Sequence, residues 1–155
     1  MRNALHIEAT SGNEYCLLAK IRLPNSQRVN IANIYLPPTS SLAKRDITEA
    51  HATAQLENAL EPIQPQLLTI LCGDFNARTG TLVPTLDIPH PPRTACDSHI
   101  CPRAKWLLSL CTLFQLYILA SQDSPPAFTC HSGRGESTVD YILCNHRNLQ
   151  ASHYP

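Results

Sequence analysis

Short apolar runs broken by turn residues organise the first third of the chain and predict strands. Residues 4–8 give a short strand, 15–23 a longer one and 28–36 a third. Pro24-Asn25-Ser26 is turn chemistry, so the last two pair as a hairpin. In the third strand Val29, Ile31, Asn33 and Tyr35 share one face, and Asn30, Ala32, Ile34 and Leu36 share the other. Both faces are largely apolar, as in a central strand, and Pro37-Pro38 ends it because proline has no N–H for the ladder. The spacing then turns helical: Ala52, Leu56, Ala59, Leu60 and Ile63 form a stripe that predicts a helix over 40–63, capped by a Ser or Thr near its start and stopped by Pro62 and Pro65.

The run Leu67-Leu68-Thr69-Ile70-Leu71-Cys72 reads as a strand buried on both faces. Residues 82–102 are proline-rich and unpatterned, a long surface loop of a length that is uncommon unless functional. A second helix is predicted over 103–115, with Trp106, Leu107, Leu110, Cys111 and Phe114 inward. Strands follow at 116–120, 127–130 and 139–144, with Ser132-Gly133-Arg134-Gly135 as a flexible connector. Helices interleaved with both crossovers and hairpins fit a layered α/β sandwich with partly antiparallel sheets.

Candidate chemistry sits where the buried strand ends, at Gly73-Asp74-Phe75-Asn76-Ala77-Arg78. In an extended segment residues two apart point the same way, so Asp74 and Asn76 converge on one point, with Gly73 free to turn. A carboxylate holds a hard cation or orients a water; a carboxamide donates to a phosphate oxygen. The pair suits phosphodiester or phosphomonoester hydrolysis. Read without further context, Asp74-x-Asn76 is also a common strand-end turn.

Composition narrows the field. The 155 residues are 43% apolar and 15% charged, enough for a core and against disorder. They are expected to form one domain or part of a larger one. The formal net charge of zero is not that of a dedicated nucleic-acid binder, yet a nuclease can draw positive potential from a bound metal. Seven cysteines without a Cys-x-x-Cys pair, and no secretory signal at the start, predict free thiols in a reducing, intracellular compartment. No apolar run is long enough for a membrane span. Cys96, His99, Cys101 and His131 raise a zinc alternative, but they lack the tight paired spacing of structural zinc sites.

Four motifs occur in one order: Asn33-Ile34-Tyr35-Leu36-Pro37-Pro38, Gly73-Asp74-Phe75-Asn76, Ala127-Phe128-Thr129 and Ser137-Thr138-Val139-Asp140-Tyr141-Ile142. This order resembles the endonuclease/exonuclease/phosphatase superfamily of DNase I-like fold, and is most similar to the endonuclease domains of LINE-type retrotransposons. Arg103-Ala104-Lys105-Trp106-Leu107-Leu108-Ser109-Leu110-Cys111 also looks like that group's helix after the Asp-x-Asn turn. The resemblance covers about residues 4–145. It implies a four-layer α/β sandwich and in-line hydrolysis of a DNA phosphodiester with Mg²⁺ or Mn²⁺. It implies catalytic roles for Tyr35 at the scissile phosphate, Asp74 on the attacking water or the metal, Asn76 on the phosphate, and Asp140 as partner of a catalytic histidine. Ser137 supports Asp140, and Arg78 and Thr129 join Asn76 as phosphate or DNA contacts.

The departures from the pattern set further expectations. No upstream segment matches the family's metal-binding glutamate, for which Glu8 and Glu14 are poor candidates. Ser152-His153 looks like the terminal Ser-Asp-His motif with its aspartate deleted. The sandwich is therefore expected to be incomplete, lacking first-sheet strands and the final strand, and weak or inactive as it stands. A catalytically dead remnant and a phosphomonoesterase of the same superfamily are the alternatives. Acting on chromosomal DNA would place it in the nucleus, although no basic localisation run is present.

Overall fold

The computed structural model describes residues 5–90, 93–119, 127–133 and 135–145. The chain divides into two compact units, Met1–Gly73 and Asp74–Pro155.

In the first unit β1 (His6–Asn13), β2 (Cys16–Arg22), β3 (Arg28–Tyr35) and β4 (Leu68–Asp74, whose last residue opens the second unit) lie side by side in that order. β2 and β3 form the expected hairpin, from Cys16↔Ile34 to Arg22↔Arg28, and β3 is central as its two apolar faces require. β1 is longer than the sequence pattern indicates. Antiparallel pairing with β2 carries it to Asn13 through a bulge between Ile7 and Ala9, although nearly all of it is exposed.

The predicted helix over 40–63 is two helices, α1 (Thr39–Ala43) and α2 (Glu49–Leu60). Asp46 breaks it by taking a left-handed conformation at φ +55°, and Ile47 returns its N–H to the Leu42 carbonyl at 3.0 Å. Thr48 then caps α2 by accepting the His51 N–H at 3.1 Å. α2 packs on β1 and β2 and buries Ala52, Thr53, Leu56 and Leu60. β4 is buried fully only at Thr69 and Leu71, so it has one core face rather than two.

The second unit holds α3 (Pro102–Leu113), β5 (Tyr117–Leu119), β6 (Cys130–Ser132), β7 (Gly135–Ser137) and β8 (Asp140–Cys144). β5 pairs antiparallel with β8. The expected flexible connector is the turn of a β6–β7 hairpin in register Cys130↔Ser137 to Ser132↔Gly135. Pro102 starts α3, where its missing N–H is harmless. The inward face of α3 is Arg103, Ala104, Leu107, Leu110 and Cys111, while Trp106 and Phe114 are half-buried. Phe75, Leu116, Ile118, Leu143 and Cys144 complete this core. No helix among the described residues is long and apolar enough to cross a membrane.

Candidate active site

The end of β4 is shaped by Gly73. Its φ is +134°, and a Cβ there would stand 2.0 Å from the Ile34 carbonyl oxygen. Only glycine lets β4 close on β3 at the residue before Tyr35. Tyr35 donates its N–H to the Tyr15 carbonyl at 3.0 Å and leaves its side chain on the exposed face.

Beyond Gly73 the chain does not stay extended. Asn76 has φ +46° and donates its backbone N–H to Asp74 Oδ1 at 2.8 Å. This is an Asx turn, so Asp74 and Asn76 meet by folding back rather than by strand alternation. Asparagine tolerates the left-handed conformation that most residues resist. Buried Arg103 clamps the turn from beneath, its Nη1 donating to the Phe75 carbonyl at 3.3 Å. The Phe75 ring packs edge-on against Tyr141, with centroids 6.2 Å apart.

A main-chain bond joins the turn to the residue before β8, from Phe75 N–H to the Val139 carbonyl at 3.0 Å. Thr129 Oγ1 accepts the N–H groups of both Val139 and Asp140, each at 3.1 Å. Thr129 in turn donates its own N–H to the Ser137 carbonyl at 3.0 Å. Thr129 and Ser137 thus hold the backbone that carries Asp140. Burial raises the Asp74 pKa above the ordinary carboxylate value, opposed by the Asn76 backbone donor. The charge of Asp140 pushes it further up, and the Asn76 side chain and Arg103 oppose the rise. A half-buried carboxylate with a second carboxylate near it is therefore built into the second unit.

Arg78, expected as a phosphate contact, pairs with a carboxylate. Its Nε and Nη2 donate to the two oxygens of Asp97, both at 2.7 Å. Asp97 is buried, and this pairing holds its pKa down to about 2. Asp97 and Arg103 are the residues that sequence reasoning missed. Arg103 had a signal: it stands at i of the stripe Arg103, Leu107, Leu110, Cys111, a charge on an apolar face. Asp97 had none, lying in the unpatterned stretch.

The zinc alternative is not supported. Among the described residues no group of three metal-ligating side chains comes together. Cys101 Sγ accepts the Arg78 N–H at 3.1 Å, Cys96 lies 3.7 Å from Thr138 Oγ1, and His131 pairs with Glu136 at 2.9 Å. All seven cysteines are free thiols. Glu8 is bound by Arg22 and Arg28, and Glu14 by Arg45 at 2.6 Å. Arg134, Ser152 and His153 lie outside the described residues.

Mixed strands and helices ending in this turn define a protein of DNase I-like α/β fold, and solved structures agree. The chain is similar to the endonuclease domain of TRAS1, a telomere-specific non-LTR retrotransposon, at 18% identity and TM-score 0.54, covering 87% of this chain and 52% of that one. It is similar to the Xenopus laevis APE2 catalytic domain at 21% identity and TM-score 0.53, covering 89% and 48%. An endonuclease/exonuclease/phosphatase family protein from Leptotrichia buccalis matches at 15% identity and TM-score 0.51, covering 84% and 41%. The chain thus spans about half the length of these structures or less. No curated protein matches it. Over residues 29–154 the sequence matches the endonuclease-reverse transcriptase family, and the chain belongs to that family.

Proposed function

We propose that this chain carries part of a divalent-metal-dependent site for phosphodiester hydrolysis in DNA, of the kind used by retrotransposon endonucleases. The observation that carries the reading is the tie between the Asp74–Asn76 turn and Asp140 through Phe75 and Val139. Asp74 orients the attacking water for in-line displacement at the phosphorus. The Asn76 carboxamide donates to a phosphate oxygen. Asp140 stands as the second carboxylate, and Tyr35, by family position, as a phosphate contact. Asp74 would hold a hydrated Mg²⁺, which takes one or two carboxylates and keeps several waters, and Asp140 would orient a catalytic histidine. When bound, such a cation would offset charge growing on the phosphoryl oxygens. Thr129 and Ser137 hold the backbone that carries Asp140, and Arg78, Thr129 and Ser137 stand beside Asn76 as phosphate or DNA contacts by family position. For chromosomal DNA the place of action would be the nucleus.

The test is nicking of supercoiled plasmid DNA with Mg²⁺ or Mn²⁺, comparing the chain with its Asp74→Ala and Asp140→Ala variants. Turnover lost in both supports the reading; turnover retained in either removes it. The ion pairs that hold Glu8 and Glu14 favour a second reading, in which the chain binds phosphate without turning it over. Phosphate-induced NMR shifts at Asn76 without nicking would select that one.

A further inference from the structure

We propose that Asp97 is a positioning residue of this site: it ties the Arg78 end of the Asp-x-Asn turn to Thr138 and thereby fixes where Asp140 stands relative to Asp74. The proposal rests on the reading of the site given above. The two carboxylates come from segments far apart in sequence, and the Phe75–Val139 bond lies beside both. Asp97 adds a side-chain attachment to the same two segments, at Arg78 and at Thr138.

Its Oδ2 accepts from Arg78 Nε at 2.7 Å and from the Thr138 N–H at 3.0 Å. Its Oδ1 accepts from Arg78 Nη2 at 2.7 Å and from the His99 N–H at 3.0 Å. Four donors fill the acceptor directions of one carboxylate. Arg78 is itself pinned, its N–H to Cys101 Sγ at 3.1 Å and its carbonyl to the Cys101 N–H at 3.0 Å. Phe75, Arg78, Asp97, Thr138 and Val139 thus close a ring, with Asp74 and Asp140 each one residue outside it.

The chemistry of Asp97 favours this role over simple stabilisation. A buried ion pair adds little that well-packed apolar side chains would not, whereas its directional bonds specify one geometry. An amide in its place keeps one accepting oxygen and turns N–H groups toward two of the four donors, so it cannot satisfy Arg78 Nε, Arg78 Nη2, Thr138 and His99 together.

The experiment uses the full chain, isotopically labelled, with Mn²⁺ as paramagnetic probe. It compares the unaltered protein with Asp97→Asn and with Arg78→Gln, whose one-third-exposed side chain makes the milder change should the first variant unfold. In the unaltered chain Mn²⁺ should broaden the amide signals of both Asp74 and Asp140. In each variant the Asp140 broadening should weaken relative to that of Asp74. Hydrogen exchange at the Phe75 amide should quicken while exchange at Leu18 and Ile34 stays as it was. Equal broadening of Asp140 in a folded variant overturns the positioning role and leaves the site reading intact. A uniform rise in exchange with unchanged broadening overturns it too, as the mark of stability alone. If Mn²⁺ leaves both signals sharp in the unaltered chain, the site reading fails and the proposal with it.

Discussion

Phe75 donates its main-chain N–H to the carbonyl of Val139 at 3.0 Å, and each partner has a site carboxylate as its neighbour in sequence, Asp74 on one side and Asp140 on the other. The bond brings exposed Asp140 into electrostatic contact with half-buried Asp74, beside the buried ring of Phe75. Like charges held together in this way are an arrangement that folding alone does not favour.

Asp74 is therefore held at a cost in stability. Its folded pKa lies above its unfolded one, so its favourable contribution is complete below the ordinary carboxylate value and disappears as pH rises through the raised value. At neutral pH the ionised group is destabilising. Asp74→Asn, which keeps an oxygen for the Asn76 N–H, should raise Tm at pH 7, with the gain shrinking as pH falls below the carboxylate range. Any Mg²⁺-dependent nicking should fall by about 10²–10³-fold in the same variant. Thermal melts across pH, paired with plasmid nicking, check both halves.

Asp97 behaves in the opposite sense. Its pKa is held down to about 2, chiefly by Arg78, so its contribution is present above the unfolded value and is lost as pH falls toward that figure. Acid unfolding should show this loss in the window from about pH 4 down to pH 2. Asp97→Ala leaves the Thr138 and His99 N–H groups and the Arg78 charge without their acceptor, and should cost about 3 kcal/mol at pH 7. Urea melts at pH 7 and pH 2.5 should show the variant's deficit shrinking at the lower pH.

The strands were legible where alternation and turn chemistry agreed, as at β2, β3 and the Pro24-Asn25-Ser26 turn between them. The DNase I-like class followed from the order of four short motifs, each set at a strand end or beside one. What sequence could not show was set by tertiary partners. β1 extends because β2 offers it a ladder, and α1 and α2 separate because Asp46 turns left-handed. In the site, Asp74, Asn76, Thr129, Ser137 and Asp140 are joined by contacts within the second unit. Arg78 reads from the sequence as a phosphate or DNA contact, and nothing there shows its pairing with Asp97, remote in sequence.

Gly73 gives a backbone prediction. Any side chain there meets the Ile34 carbonyl, and the φ of +134° is one that L-residues rarely adopt. Gly73→Ala must part β4 from β3 or strain the chain, at a cost of about 3 kcal/mol or more. A chain with the marginal stability of an ordinary domain would lose much of it. The expected result is a clear fall in the denaturant midpoint, with amide-shift changes centred on Ile34 and Tyr35. Unchanged stability would mean that the two strand ends do not close as described.

The exposed sheet face of the first unit predicts behaviour in solution. Pairing places Ile7 opposite Ile21, and Leu17 shares that face with Ile21 by alternation; Tyr35 lies on it too, two residues beyond Asn33, the partner of Leu17. Ile7, Leu17 and Tyr35 are 61%, 59% and 54% exposed, while α2 covers the opposite side. β1 stands at the edge of these four strands, where unpaired N–H and carbonyl groups invite another strand. Apolar surface beside an open edge favours association. The chain should therefore associate as its concentration rises. Leu17→Lys, at a position where the side chain meets solvent and buries little, should raise the soluble fraction with a stability change of about 0.5 kcal/mol or less. Sedimentation velocity over a concentration series, with the variant beside the unaltered chain, reads the difference; a monomer at every concentration for the unaltered chain would show that this face does not drive self-association.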